Sequence, residues 1–268
     1  MRIFSDSINY HCTLHQADKR LPVLLMLHGF MGSARVFKPL IEKLSFFCNP
    51  LTIDLAGHEN TQTPPDAALF SAERQSAQLH SVLGRLQLER LYLYGYSMGG
   101  RLAFQLMARY PNHFSGAIIE SAHCGITDES ERKNRVKADY ERIRIIESDF
   151  ELFIENWKKH ELFDNTPAEM EKLYSSVMAS QKPDLMAASL RGFGAGVMPH
   201  VCDHLKESGI RLKLISGSLD ETYVKRMQEI QSVNPLITLD IVEDAGHRVH
   251  AGKPAEWLRI VREFLADA

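Results

Sequence analysis

The chain has 268 residues, 44% of them hydrophobic, and a formal charge of −3. That is enough apolar mass for a full core, and it suits one domain with an insertion better than two separate domains. The charge excludes a globally basic, nucleic-acid-seeking surface, so any anionic ligand must be met by locally placed Arg and Lys.

The opening stretch, with Ile3, Phe4, Ile8, Tyr10, Cys12 and Leu14, alternates loosely enough for a strand or hairpin at a sheet edge. It has no apolar leader-like region, and no stretch approaches the length of a membrane span. A soluble, cytoplasmic protein without membrane insertion is expected. The run from Pro22 to Leu27 is continuously apolar, the pattern of a strand buried on both faces of a parallel sheet. A helix is predicted over Arg35 to Leu44, a strand over Pro50 to Asp54, and a helix over Ser71 to Leu88. Leu91 to Tyr94 reads as a strand, Gly100 to Tyr110 as a helix, and Gly116 to Ile119 as a strand. Late in the chain Leu212 to Ile215 and Ile237 to Val242 read as strands, and Trp257, Ile260, Val261, Phe264 and Leu265 line one face of a closing helix. Alternating strands and helices indicate an α/β fold with a mostly parallel, doubly wound sheet.

The middle departs from this alternation. From Asp128 to Gly196 only helix-forming segments occur, broken by Pro167, Pro183 and the stretch Gly192 to Gly196. A helical cap over residues 128–196 is expected after the sixth strand, with residues 1–127 and 197–268 forming the core. Cys12, Cys48, Cys124 and Cys202 are scattered without a C-x-x-C, so four reduced cysteines and no metal site are expected.

Between the strand ending at Tyr94 and the next helix lies Gly95-Tyr96-Ser97-Met98-Gly99. A serine with glycine two residues before and two after, between strand and helix, is the signature of a nucleophile elbow. Its turn is too sharp for side chains at Gly95 and Gly99, and it holds the serine strained but exposed. A serine hydroxyl reacts only when a histidine takes its proton and an acid orients that histidine. Asp220 follows the strand at 212–215 and His247 follows the strand ending at Val242, in the chain order Ser, acid, His. Taken singly, Asp220 could be a helix N-cap and His247 one of twelve histidines in an ordinary turn. Three such placements in register favour a triad. Asp244 and His250 are assigned to turn and surface. His28-Gly29-Phe30-Met31-Gly32 follows the first buried strand, so the backbone N–H groups of Phe30 and Met98 are the expected oxyanion donors. His28 is expected to bond loop backbone.

These segments together (LHGF, IDLAGH, GYSMGGR, IIESAHCGI, GSLDETY and AGH) resemble the α/β-hydrolase superfamily along nearly the whole chain. The elbow, the IIESAHCGI segment and the arginine-rich stretch Glu131 to Arg135 resemble one branch of it, the 2-succinyl-6-hydroxy-2,4-cyclohexadiene-1-carboxylate synthases of menaquinone biosynthesis. Phe153 to Trp157, Leu162-Phe163 and Leu190 to Pro199 are similar to that branch's cap. The resemblance implies a cofactor-free lyase with a small anionic substrate: a cyclohexene bearing a succinyl group, a ring carboxylate and an enolpyruvyl ether. No obligate protein partner is implied. Loss of a ring proton beside the succinyl ketone expels pyruvate, with the triad as base and the oxyanion hole holding the enolate.

Substrate contacts implied by position are Tyr96, Arg101, Arg132, Arg135 and Trp157. From the residues alone, Arg135 with Asp139 or Lys137 with Glu141 are equally ordinary i, i+4 pairs on a solvated helix. Two departures from the branch stand out. Its usual arginine before the proline of a later cap helix is missing from Val177 to Pro183, leaving Lys182 or Arg191 as candidate substitutes, and its Pro-Gly-His-Gly reads Ala56-Gly-His58-Glu59. A serine hydrolase (an esterase, thioesterase or carbon–carbon bond hydrolase) uses the same triad, and a non-catalytic binding protein shares the same fold. An apolar tunnel would favour the esterase and a set of carboxylate-binding arginines the lyase. Loss of a triad member would favour the binding protein.

Overall fold

The computed structural model describes residues 1–266. Its strands are β1 (Arg2–Ser5), β2 (Ile8–Leu14), β3 (Val23–Leu27), β4 (Asn49–Ile53), β5 (Leu91–Tyr96), β6 (Gly116–Glu120), β7 (Leu212–Gly217) and β8 (Ile237–Val242). They form one sheet in the order β1-β2-β4-β3-β5-β6-β7-β8. The β1–β2 hairpin joins antiparallel at one edge, and every pairing from β4 to β8 is parallel. Strands β3, β4, β5 and β6 are buried at every residue, which explains their unbroken apolar runs: helices cover both faces.

The helices are α1 (Lys38–Leu44), α2 (Ala72–Leu86), α3 (Met98–Arg109), α4 (Glu129–Ser148), α5 (Phe150–Lys158), α6 (Ala168–Ala179), α7 (Pro183–Phe193), α8 (Glu221–Gln231), α9 (Val249–Gly252) and α10 (Pro254–Ala266). Trp257, Ile260, Val261, Phe264 and Leu265 form the buried face of α10. Between Glu120 and Leu212 no strand interrupts the helices α4 to α7. Three of these helices start on a local signal. Asp128 and Asp149 cap α4 and α5 with their carboxylates, and α7 carries Pro183 in its first turn. α4 is mostly charged and buries only Asp139, Ile143 and Ile146, so packing against α7 rather than a broad apolar face holds it.

The cysteines depart from expectation. Cys124, in the loop after β6, is joined to Cys202, on the return toward β7, across 78 residues with Cα atoms 5.2 Å apart. The scattered spacing hid the pairing because the two stems of the helical segment meet only in the folded chain. Cys12 and Cys48 are buried as thiols.

Candidate active site

The elbow forms because β5 must turn directly into α3 above the sheet. Ser97 takes φ 52° and ψ −113°, a strained conformation for a residue with a side chain. Its N–H donates to the Glu120 carbonyl at 2.9 Å, and its own carbonyl accepts from Arg101 N–H at 2.9 Å, so the turn is pinned on both sides. A Cβ at Gly95 would lie 2.6 Å from the Gly99 carbonyl oxygen, and one at Gly99 would collide with the Leu27 carbonyl. Only glycine lets the turn sit against β3.

His247 lies at the end of the loop after β8. Its Nδ1 is 2.6 Å from Asp220 Oδ2 and its Nε2 is 3.1 Å from Ser97 Oγ. A carboxylate only accepts, so Nδ1 carries the proton and Nε2 is free to accept from the serine hydroxyl. Asp220 is also the N-cap of α8, accepting from Tyr223 N–H through Oδ1. The ordinary capping role and the contact with histidine belong to the same side chain, one oxygen to each.

The loop after β3 packs over the elbow. His28 donates from Nδ1 to the Gly29 carbonyl at 2.8 Å and accepts the Leu55 N–H at Nε2 at 3.0 Å. Both nitrogens are spent on backbone, and complete burial pushes its pKa down to about 4. His58 packs edge-on against it and is pushed down to about 3 by burial and then by His28. Among the described residues the N–H groups of Phe30 and Met98 have no hydrogen-bond partner, and both residues line the cleft beside Ser97.

That cleft has a volume of about 100 Å³. Arg101, Arg135, Arg142 and Arg248 all line it, against a single carboxylate, Asp139. Arg101, one turn after Ser97, is buried, donates to the Phe193 carbonyl at 2.9 Å and stacks on that ring. Burial, and then the charge of Arg135, push its pKa down to about 10. Arg135 binds Asp139 at 3.2 Å and borders the cleft as well, so the helical pair and the cleft position coexist. Tyr96 and Trp157 line the cleft, with Trp157 edge-on to Phe30 and beneath Arg142. Burial raises the Tyr96 hydroxyl well above its ordinary range, an effect the charge of Arg248 partly offsets.

Several expectations need correction. Arg132 is exposed and does not line the cleft. At i, i+3 from Arg135 it sits about 60° off toward solvent, because α4 turns 100° per residue. Arg142, two turns beyond Arg135, lies on the inner face instead, and its seven-residue spacing was the available signal. Neither Lys182 nor Arg191 replaces the absent arginine: Lys182 is exposed, and Arg191 pairs with Glu147 near the surface. His250 is wholly buried rather than superficial. It binds Glu120 at 2.7 Å through Nδ1 and Tyr174 at 2.8 Å through Nε2, with the Tyr94 hydroxyl on the other Glu120 oxygen. Asp244 is exposed in a turn, as its type suggests. Glu59, where the branch has glycine, keeps the left-handed backbone with φ 46°. It accepts from Ser180 at 2.5 Å and from Arg35 at 3.1 Å, contacts that tie this loop to α6 and offset the strain.

Comparison with known proteins agrees with this architecture. Residues 22–150 match the family model of the alpha/beta hydrolase fold. A Bacillus subtilis (strain 168) protein, provisionally named 2-succinyl-6-hydroxy-2,4-cyclohexadiene-1-carboxylate synthase, is 32% identical over 98% of this chain and 97% of its own length. The chain belongs to this synthase family within the α/β-hydrolases. A synthase of the same name from Salmonella enteritidis PT4 (strain P125109) is 27% identical over 87% of this chain and 90% of its own. The structure of MenH from S. aureus superposes with a TM-score of 0.90 at 29% identity, covering 96% of this chain and 98% of that one.

Proposed function

We propose that this family member is a carbon–oxygen lyase that converts 2-succinyl-5-enolpyruvyl-6-hydroxy-3-cyclohexene-1-carboxylate into 2-succinyl-6-hydroxy-2,4-cyclohexadiene-1-carboxylate and pyruvate, in menaquinone biosynthesis in the cytoplasm. The observation that carries the reading is the lining of the cleft onto which Ser97 and His247 face: four guanidinium groups and one carboxylate, in a protein of net negative charge. An ester tunnel has no use for such a set, whereas a substrate with three carboxylates requires it. No helix among the described residues is long and apolar enough to cross a membrane, which is compatible with the cytoplasmic reading.

In the proposed reaction Ser97 Oγ, its proton drawn by His247 Nε2, removes the ring proton beside the succinyl ketone. The imidazolium is stabilised by Asp220. The ketone oxygen gains the charge and is met by the N–H groups of Phe30 and Met98. Collapse of the enolate forms the new ring double bond and breaks the ether C–O bond. Enolpyruvate leaves and takes a proton to become pyruvate. Water is not consumed, and no metal or cofactor enters the scheme. Arg101 and Arg135 hold substrate carboxylates, with Tyr96 and Trp157 as walls. The cleft is smaller than the roughly 300 Å³ at the low end for ligand sites, so substrate entry requires some of its lining side chains to shift.

The test is pyruvate release by the purified protein from the enolpyruvyl substrate, beside a panel of nitrophenyl esters. Stoichiometric pyruvate with slow ester turnover is expected. Rapid ester hydrolysis without pyruvate release would establish the serine hydrolase instead.

A further inference from the structure

Arg248 is the residue next to the histidine that faces Ser97, and no motif drew attention to it. It is only 6% exposed, yet among the described residues no carboxylate lies within ion-pair distance of it. Its hydrogen bonds are a long one from Nη1 to Thr166 Oγ1 at 3.3 Å and one to the Tyr96 hydroxyl, and its Nε is buried without a partner. The guanidinium is clamped between two rings, its Cζ 3.8 Å from the centroid of Phe163 and 3.7 Å from that of Tyr174. Both rings line the same cleft as Ser97.

A buried cation without an anion is expensive, and cation–π contacts return only part of the cost of desolvation. The two arginines of α4 that line the cleft do not share this condition, because Arg135 and Arg142 both bind Asp139. The clamp itself is braced from behind. The Tyr174 hydroxyl is held by His250, and His250 by Glu120, so the face that Arg248 stacks on cannot swing away. Tyr174 and the buried Met178 lie one turn apart on α6, on the same face. Arg248 therefore brings a guanidinium to the cleft beside Tyr174 of α6.

We propose that Arg248 is a substrate-binding residue that receives a carboxylate of the anionic substrate on the histidine loop's side of the cleft. This rests on the lyase reading above for the identity of the substrate, though not for the presence of an anion site. Held between two rings and with Nε unpaired, the guanidinium can donate to a carboxylate without first breaking an internal salt bridge.

The test compares wild type with Arg248→Gln and Arg248→Lys. Two ligands that divide the product's carboxylates are used as binding probes, 2-succinylbenzoate and pyruvate, each titrated by calorimetry. Arg248→Gln is expected to weaken at least one of the two about tenfold or more, the fold-change of a lost charged hydrogen bond, with partial recovery in Arg248→Lys. In turnover the loss falls on KM more than on kcat, since the carboxylates are charged throughout the reaction. Melting temperature serves as the control for a structural role: removing an unpaired buried cation leaves it unchanged or raises it. Unchanged affinity for both probes, or a fall in melting temperature with kcat and KM affected alike, overturns the proposal. A wild-type protein that binds the probes but releases no pyruvate defeats the lyase reading alone, and the binding data still decide on Arg248.

Discussion

The sheet edge and the helical segment contribute to the cleft in different ways. Ser97, Asp220 and His247 stand one, three and five residues beyond the carboxyl ends of β5, β7 and β8. Arg135, Arg142 and Trp157 stand on α4 and α5, where a helix rotation of one residue changes which side chain faces inward. On the proposed function, the chemistry is placed by rigid parallel strands, and the recognition by helices that pack over them. Proton transfer demands the first kind of placement, and substrate choice can tolerate the second.

The largest effect that separates the two regions is Ser97→Ala. The change removes a hydroxyl and no core volume, so turnover should fall on the order of 10²–10⁴-fold with an unaltered melting temperature. A comparable fall in melting temperature would mean that the elbow is structural. Next is acid. His28 and His58, buried under the sheet-side loop, are held near 4 and 3 against an ordinary value near 6.5. The unfolded chain then binds protons before the folded one does. Stability is therefore complete above about pH 6.5 and declines as pH falls toward 4, by about 1.4 kcal/mol per pH unit for each histidine. Chemical denaturation at pH 7 and pH 5 measures it, and a flat profile would contradict the buried neutral pair.

The Cys124–Cys202 bridge joins the stems of the helical segment, so cutting it should cost roughly 2–4 kcal/mol through the freedom it restores to the unfolded chain. Thiol titration of protein denatured without reductant should find two groups, Cys12 and Cys48, and four would contradict the pairing. The smallest of these effects is Arg135→Ala. Asp139 keeps Arg142 as a partner, so the fold survives the change. KM for the enolpyruvyl substrate should rise by the worth of a charged hydrogen bond, about 1.5–3 kcal/mol, while any small neutral ester is turned over as before. Equal losses on both substrates would make Arg135 a support for α4.

The same division explains what the sequence disclosed. Buried parallel strands are readable as apolar runs, and the elbow as two glycines around a serine, because each is a local necessity. The positions of Asp220 and His247 follow from strand ends. Arg132 faces solvent because the phase of α4 depends on its packing against α7, which a charged helix with little apolar pattern does not announce. His250 reads as a surface residue until Glu120, Tyr94 and Tyr174 converge on it from three elements. Cys124 and Cys202 meet only when the helical segment closes on itself. Contacts between residues far apart in sequence leave no local signature, and most of the recognition side of the cleft is made of them.

The central claim is that Ser97 works here as a base rather than as an acyl-group acceptor. Intact-mass and peptide mass spectrometry on enzyme quenched during steady turnover of the enolpyruvyl substrate tests it most directly. The account predicts unmodified Ser97 throughout, while pyruvate and the cyclohexadiene appear in equal amounts. A substrate-derived adduct on the Ser97 peptide that forms and decays at the rate of turnover would contradict it.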